Sequence, residues 1–215
     1  QLTSDCEVIV MHDSNAYRTT GVDENIANMT YKEVRRLDAG SWYSVEYKGE
    51  KVPGLREVLE LAQGKIKLNI ELKPADNSEE LARKTVALIE KYNMENDCVI
   101  TSFSSSALSA AKSCDENIRV GYILSAAYGD YYDMKNIDFF SVNAAFLSKR
   151  TIDAIHNSGK QVYAWTVNNK DSIKNLTNKG VDGVITDNPV LARETIYSRD
   201  TSETIINMIR YVFNQ

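Results

Sequence analysis

Two stretches carry side chains suited to acid–base and charge chemistry, EVIVMHDSNAYRTTG from Glu7 and KIKLNIELK from Lys65. In the first, an apolar run leads directly into His12. A strand buried on both faces has no favourable place for an imidazole, because burying an unpaired polar group costs a few kcal/mol. We therefore expect His12 at the end of its strand, where solvent or a ligand can reach it. A satisfied core or loop imidazole is the alternative.

The second stretch holds a carboxylate and an ammonium two residues apart. Apolar and polar residues alternate along it, so Glu71 and Lys73 share one strand face, about 7 Å apart. If that face lines the inside of the fold, both groups project into one pocket. If the face is exposed, they form a structural ion pair. The spacing alone is consistent with both.

Other polar and aromatic residues also follow apolar runs. Arg18 can be a phosphate clamp or an anchor for its own loop. Phe103 follows the apolar run CVITS. Trp165 can form an apolar wall for a ligand or belong to the core. Asp187 precedes Asn188-Pro189, where it would cap the last helix.

Composition excludes several classes of protein. The 215 residues are 43% hydrophobic with a net charge of −5, which suits one domain with one core and argues against nucleic-acid binding. An acidic protein that acts on an anion needs a metal or local cations. Three scattered cysteines give no disulfide framework or zinc motif. Since no apolar run approaches the roughly 18 residues of a membrane span, we expect a soluble chain.

Apolar runs of strand length alternate with helix signals along the chain. The runs are EVIVM, KIKLNIEL, CVITSF, RVGYIL, DFFSVN, QVYAWTV and GVITD. Helical spacing follows Ser78, Ser148 and Pro189 and precedes Gly180. Repeated strand–helix units predict a parallel α/β sheet, and the absence of a glycine-rich dinucleotide motif favours a (β/α)8 TIM barrel over a doubly wound sheet. The candidate residues then lie at the carboxyl ends of strands, where barrel active sites form.

These stretches occur together in one known family. The motifs VMHDSNAYRTTG, VPGLREVLEL, LNIELK, TSF, VYAWTVNN and GVDGVITDNPV stand in this order. On them the chain resembles the glycerophosphodiester phosphodiesterases over nearly its whole length. The stretches ANMTYKEVRRLDAGSW and GYILSAAYGDYYDMK are similar to a bacterial branch in which the catalytic domain follows a membrane-spanning region. The resemblance implies a barrel hydrolase that cleaves glycerophosphodiesters to glycerol 3-phosphate and an alcohol, with a divalent cation.

The resemblance also implies roles for single residues. His12 matches the second of the family's two catalytic histidines, which acts at the leaving oxygen. Glu71 matches a metal-ligand glutamate, and Lys73 matches the cation that helps hold the phosphate. Oxygen ligands suit Mg²⁺ or Ca²⁺, and the ion offsets the phosphoryl charge. The further candidates for substrate binding are Trp165, Arg18 and Phe103.

The chain departs from the family pattern at its start. QLTSD corresponds to the stretch just after the family's acidic metal-binding pair, so the first strand and helix, the first histidine and two metal ligands are missing. We expect residues 1–198 to form a truncated barrel that binds the cation weakly and has little activity, while the full-length parent is active. A second copy or an exchanged element would cover the exposed sheet edges.

Two segments add to the expected barrel. Residues 14–64 form an insertion after the second strand, with a short helix after Thr30 and the aromatic loop SWYSVEY. Tyr43 and Tyr47 in this loop either shape the alcohol side of the pocket or are buried by packing. Residues 199–215 are expected to form a helical extension with one apolar face, packed on its own barrel or against a partner or membrane.

Two alternative functions remain open. The chain can be a non-catalytic barrel that binds a phosphodiester or polyol headgroup. It can also be a structural interaction domain of a membrane protein, for which the charged and imidazole side chains are incidental.

Overall fold

The computed structural model describes residues 1–126 and 131–197. The chain divides into two compact units, Gln1–Tyr122 and Ile123–Gln215. Each unit holds parallel strands connected by helices.

The first unit contains parallel strands hydrogen-bonded in sequence order. They are β1 (Leu68–Leu72), β2 (Cys98–Ser102) and β3 (Arg119–Leu124), the last of which runs through the point of division. Leu68 lies opposite Cys98, and Val99 lies opposite Arg119. Parallel neighbours need a crossover connection, usually helical, and the chain supplies a helix after β1 and another after β2. The carboxyl ends of all three strands therefore lie at the same edge of the sheet, which is where the candidate functional residues were predicted.

Two amphipathic helices provide those crossovers. They are α4 (Ser78–Lys91) and α5 (Ser105–Cys114). In α4, Leu81, Thr85 and Ile89 recur every four residues and are buried, which gives the helix one inward face. In α5, the Ser104 hydroxyl accepts a hydrogen bond from the Ala107 amide and caps the first turn.

Residues 14–64 fold around a small core of their own within the first unit. Their helices are α1 (Tyr17–Thr20), α2 (Tyr31–Val34) and α3 (Leu55–Ala62). The short helix predicted after Thr30 is present, and Thr30 and Glu33 form a capping box at its start. The buried cluster consists of Ile9, Ala16, Ile26, Met29, Val34, Leu37 and Val52. It fixes this segment to the polypeptide that leads into His12.

The second unit repeats the strand–helix pattern. It contains β4 (Phe139–Asn143), β5 (Gln161–Trp165), β6 (Gly183–Val184), α6 (Lys149–Asn157) and α7 (Lys170–Lys179). A further helix, α8, is described from residue 189 to residue 197. Ser148 caps α6, and Gly180 ends α7 in the left-handed conformation. The α/β class and the strand–helix repeat of a TIM barrel are confirmed.

The predicted strand at Glu7–Met11 is wrong. Val8 and Ile9 form only isolated antiparallel bridges, with Leu2 and Gly54. The amides of Ile9 and Val10 donate to two separate segments, at Gln1 and Pro53. A ladder needs one continuous partner strand, and these irregular segments do not supply one.

Other boundaries follow the expectations less closely. β1 begins three residues later than the apolar run at Lys65, and β6 covers only two residues of GVITD. The predicted extension of residues 199–215 lies outside the described residues, so the division into residues 1–198 and 199–215 stays a prediction. In the described ranges, no helix combines the length and the apolar character that crossing a bilayer requires.

Candidate active site

His12 is held by the carboxylate that follows it in the chain. Its Nδ1 lies 2.7 Å from Oδ1 of Asp13. The Arg18 guanidinium donates two hydrogen bonds to the same carboxylate. Its Nε lies 2.5 Å from Oδ2, and one terminal nitrogen lies 3.2 Å from Oδ1. The imidazole side chain is 73% exposed, as expected for a histidine that solvent or a ligand can reach. The Asp13 contact fixes one ring nitrogen and leaves Nε2 as the nitrogen for proton transfer.

The charge on Asp13 is maintained by these neighbours. The Arg18 guanidinium, and then the His12 ring, lower the pKa of the Asp13 carboxyl from its usual 3.8 to about 2. The same contact raises the pKa of Arg18. The guanidinium carbon of Arg18 also lies 5.3 Å from the ring centre of Trp42, a cation–π distance. Arg18 therefore anchors the loop around His12. Of the two roles predicted for Arg18, these contacts favour the loop anchor over the phosphate clamp.

Glu71 and Lys73 project from the end of β1 and meet. The Lys73 Nζ donates to Oε1 of Glu71 at 2.7 Å, and the side chains are 19% and 30% exposed for Lys73 and Glu71 respectively. The shared face predicted from the alternation is confirmed by this contact. The pair is partly shielded from solvent, which strengthens its electrostatic attraction relative to a surface pair.

One cavity brings His12 together with this ion pair. It has a volume of about 290 Å³ and lies between residues 8–12 and the strand β1. His12, Glu71 and Lys73 line it, and apolar side chains including Val58 and Leu81 form much of the remaining wall. A carboxylate, an ammonium and an imidazole thus face one apolar-walled space, the usual makeup of a ligand site.

One of the residues that line the same cavity carries a buried hydroxyl. Thr85 of α4 lines it, and its Oγ1 is buried with no hydrogen-bond partner among the described residues. Buried polar groups in folded proteins are nearly always paired. The Thr85 hydroxyl is therefore an exception whose burial is not offset by a hydrogen bond among the described residues.

Phe103 and Trp165 were the aromatic candidates. Phe103 follows the last residue of β2 and is partly exposed, and it is not among the residues that line the His12 cavity. Trp165 belongs to the second unit, where it ends β5 opposite Asn143 of β4. Its indole Nε1 donates to the Ser141 carbonyl at 3.0 Å, so the ring is fixed on the sheet.

Asp187 does not cap the last helix as expected. Its carboxylate accepts from the Asn168 side chain at 2.7 Å. The Asn188 side chain instead accepts from the Leu191 amide in the first turn of α8. The hydrogen bond between Asn168 and Asp187 therefore links the segments that follow β5 and β6.

The described residues do not form a complete site for a divalent cation. Nowhere in residues 1–126 and 131–197 do three His, Cys, Asp or Glu side chains gather in a way that could hold a metal ion. Mg²⁺ and Ca²⁺ take six or more oxygen ligands. Glu71 offers one carboxylate, and one of its oxygens is already paired with Lys73. The residues described here fit one ligand position of such a site and no more.

Sequence reasoning placed Asp13 at a strand end beside His12 without giving it a role, and it misplaced two tyrosines. Asp13 has a usable signal, because a carboxylate beside a histidine and five residues before an arginine can contact both. Packing was the expected state of Tyr43 and Tyr47, but both are exposed. The physical reason is the hydrogen-bonded loop that holds them outward, whose contacts to Asp38 are not visible in the hydrophobic pattern.

The chain is similar to known proteins over most of its length. Residues 1–191 match the glycerophosphoryl diester phosphodiesterase family. A glycerophosphodiester phosphodiesterase of Caldanaerobacter subterraneus is 28% identical over 98% of this chain and 83% of its own length. One from Bacillus altitudinis is 28% identical over 88% of this chain and 80% of its own length.

Solved structures give the same result. A phosphodiesterase of Oleispira antarctica, in complex with the product sn-glycerol-3-phosphate, is similar with a TM-score of 0.86 and 29% identity. The match covers 91% of this chain and 81% of that one. From the sequence match and this structural likeness together, the chain belongs to the glycerophosphoryl diester phosphodiesterase family.

Proposed function

We propose that this chain supplies part of the active site of a phosphoric diester hydrolase that converts a glycerophosphodiester and water to glycerol 3-phosphate and an alcohol. The observation that carries the proposal is the convergence of His12, Glu71 and Lys73 on one cavity in a chain of this family. The Oleispira relative, which holds glycerol 3-phosphate, supports the choice of product.

His12 is the general acid at the leaving oxygen. When the bond between phosphorus and the alcohol oxygen breaks, that oxygen needs a proton, and an imidazolium Nε2–H can donate it. Asp13 accepts from Nδ1 and orients the ring. In the net reaction the water oxygen ends on phosphorus, and one proton ends on the alcohol.

Lys73 and Glu71 act on the phosphoryl charge. The Lys73 ammonium offsets negative charge on the diester, and an acidic chain with a net charge of −5 needs such a local cation. Glu71 is one ligand of a Mg²⁺ or Ca²⁺ ion, which when bound would stabilise the charge that develops at phosphorus. Trp165 and Phe103 stay candidate substrate-binding residues, and Arg18, also predicted as one, is proposed instead to position His12 through Asp13.

We propose that hydrolysis depends on this cation and that the 215 residues alone bind it weakly. The described residues bring one carboxylate to the cavity, and the curated relatives above are matched over 80% to 83% of their length. The resemblance implies that the other metal ligands precede Gln1, so in this proposal the active form is a protein extended at its amino end. The 215-residue chain is expected to be impaired or inactive.

An additional extended segment beside β1 accounts for the cavity's shape. The amide of Leu68 donates towards β2, so the backbone groups of Asn69 and Glu71 point to the opposite side, where the cavity lies. Segments with unpaired backbone groups favour pairing with another strand. The strand comes from the longer protein, from a second copy or from an exchanged element.

Two measurements separate these sources. Light scattering at several concentrations reveals a second copy or an exchanged element as a dimer. Hydrogen exchange at the Asn69 and Glu71 amides is expected to be fast in a monomeric 215-residue chain and slow in the extended protein. Fast exchange in both proteins would contradict the added strand.

The parent protein is proposed to be membrane-associated, on the resemblance to the bacterial branch with a membrane-spanning region. Fractionation of cells that express the full-length parent tests this point. Recovery of all of it in the soluble fraction would contradict the proposal.

The hydrolytic proposal is tested by release of glycerol 3-phosphate from glycerophosphocholine by the extended protein. Release that disappears with a chelator or with Glu71→Gln is the expected result. A protein that binds glycerophosphocholine without turnover, and keeps that binding in Glu71→Gln, would favour the non-catalytic binding barrel.

A further inference from the structure

An exposed group of apolar side chains lies beside the His12 site. Trp42, Tyr43, Val45 and Tyr47 are 53%, 73%, 80% and 48% exposed, and we call them the aromatic patch. The rings contact one another, with centroids 5.9 Å apart for Trp42 and Tyr43 and 5.6 Å for Tyr43 and Tyr47. A contiguous exposed apolar patch in a folded protein usually marks an interaction surface.

The patch is held outward by a rigid loop. The Asp38 carboxylate accepts four hydrogen bonds, from the amides of Gly40, Ser41 and Gly49 and from the Ser41 hydroxyl. A Cβ at Gly40 would lie 1.9 Å from the Tyr47 carbonyl oxygen, so the two sides of the loop touch through backbone. The loop is therefore preorganised with its apolar side chains in water, which lowers the entropic cost of binding through them.

The chemistry of these side chains fits a lipid surface. Trp and Tyr have an apolar ring and a polar tip, and they concentrate where a membrane meets water. The exposed fractions of Tyr43 and Val45 mean that these side chains project from the loop. Projecting side chains suit insertion into a soft interface better than enclosure of a small ligand, which needs a concave site.

The surrounding charges indicate which kind of lipid surface. The segment 36–51 contains three cations and three anions, so its net charge is zero. They are Arg36, Lys48, Lys51, Asp38, Glu46 and Glu50. With no net charge, attraction to an anionic membrane contributes little, and ring burial dominates.

We propose that the aromatic patch docks this domain on a zwitterionic lipid surface. Trp42 connects the patch to the site, because the Arg18 guanidinium over its ring also binds Asp13 beside His12. Docking brings the mouth of the His12 cavity near the interface where lipid-derived diesters arise. This inference adds to the proposed function, but its test does not require hydrolysis.

The test is cosedimentation of the 215-residue chain with phosphatidylcholine vesicles at low and high salt. The expected result is binding that changes little with salt and falls about tenfold or more in Trp42→Ala/Tyr43→Ala. The matched control is Leu61→Ala, since Leu61 is 70% exposed on α3, outside the patch. It is expected to bind as the unchanged chain does.

A spectroscopic measurement covers the case in which the double variant fails to fold. The chain has two tryptophans, so Trp165→Phe leaves Trp42 as the only indole, and its emission is expected to shift to shorter wavelength on vesicle addition. No sedimentation and no shift would overturn the proposal. An equal loss of vesicle binding in Leu61→Ala would also overturn it, as would binding to phosphatidylglycerol vesicles only. A dimer that depends on the aromatic patch and forms without any binding to lipid would overturn it as well.

Discussion

The imidazole of His12 and the carboxylate of Asp13 are adjacent in the chain and hydrogen-bonded to each other, with Nδ1 and Oδ1 2.7 Å apart. Neighbouring side chains rarely meet in a regular strand, because they point to opposite faces. The chain at His12 is irregular, and this allows the contact. Arg18 then holds the carboxylate from the other side, so the orientation of the ring depends on two residues besides the histidine.

Replacement of His12 by glutamine is expected to lower kcat of the extended protein by about 10² to 10⁴, because a general acid contributes that much. The measurement is release of choline from glycerophosphocholine. The control is a glycerophosphodiester of nitrophenol, a leaving group that does not need a proton. An equal loss on both substrates would show that His12 is not the acid.

Replacement of Asp13 by asparagine is expected to lower kcat by a smaller factor than His12→Gln, with KM unchanged, since the imidazole remains but loses its charged partner. The pH–rate profile should shift as well. A pH–rate profile and a kcat equal to those of the unchanged protein would show that Asp13 does not support catalysis by His12.

The Asp13 carboxyl is expected to titrate near pH 2, as measured by carboxyl carbon NMR. Its pKa is depressed in the folded state, so its contact with Arg18 favours folding above about pH 3.8 and loses this effect as the pH falls through about 2. Arg18→Gln removes the largest cause and should raise the pKa. Arg36→Gln, an exposed arginine with no contact to Asp13 among those described, should leave it unchanged.

Replacement of Thr85 by valine is expected to stabilise the 215-residue chain by about 1 kcal/mol, because it removes a buried hydroxyl that has no partner among the described residues. The measurement is urea unfolding. Ser102→Ala is the contrasting variant, since the buried Ser102 hydroxyl donates to the Leu72 carbonyl at 2.7 Å, and its loss should destabilise. Destabilisation by Thr85→Val would mean that the hydroxyl already has a partner.

Replacement of Gly40 by alanine is expected to destabilise the first unit by about 1–3 kcal/mol, because the new methyl group would overlap the Tyr47 carbonyl oxygen. Glu46→Ala, on the exposed side of the same loop, should change the unfolding free energy by less than about 0.5 kcal/mol. Similar values for both variants would show that the loop adjusts without cost.

The sequence was sufficient for features that depend on local patterns. The start of α2 at Thr30, the start of α6 after Ser148 and the end of α7 at Gly180 were predictable because caps act within one turn. The face shared by Glu71 and Lys73 followed from strand periodicity.

Features that depend on distant partners were not predictable in the same way. Glu7–Met11 has the composition of a strand, but strand formation requires a partner that its own residues do not specify. Tyr43 and Tyr47 are apolar enough to be buried, and the Asp38 hydrogen bonds that hold their loop outward cannot be read from hydrophobicity.

The most direct test of the central claim compares glycerol 3-phosphate release from glycerophosphocholine by two proteins, the 215-residue chain and a version extended at its amino end, each with Mg²⁺ or Ca²⁺ and with chelator. Glycerol 3-phosphate is expected to be released only by the extended protein and only with the cation, and this release is expected to be lost in His12→Gln. Cation-dependent release by the 215-residue chain at an equal rate would contradict the incomplete-site proposal, and an extended protein inert on several headgroups would contradict the hydrolase.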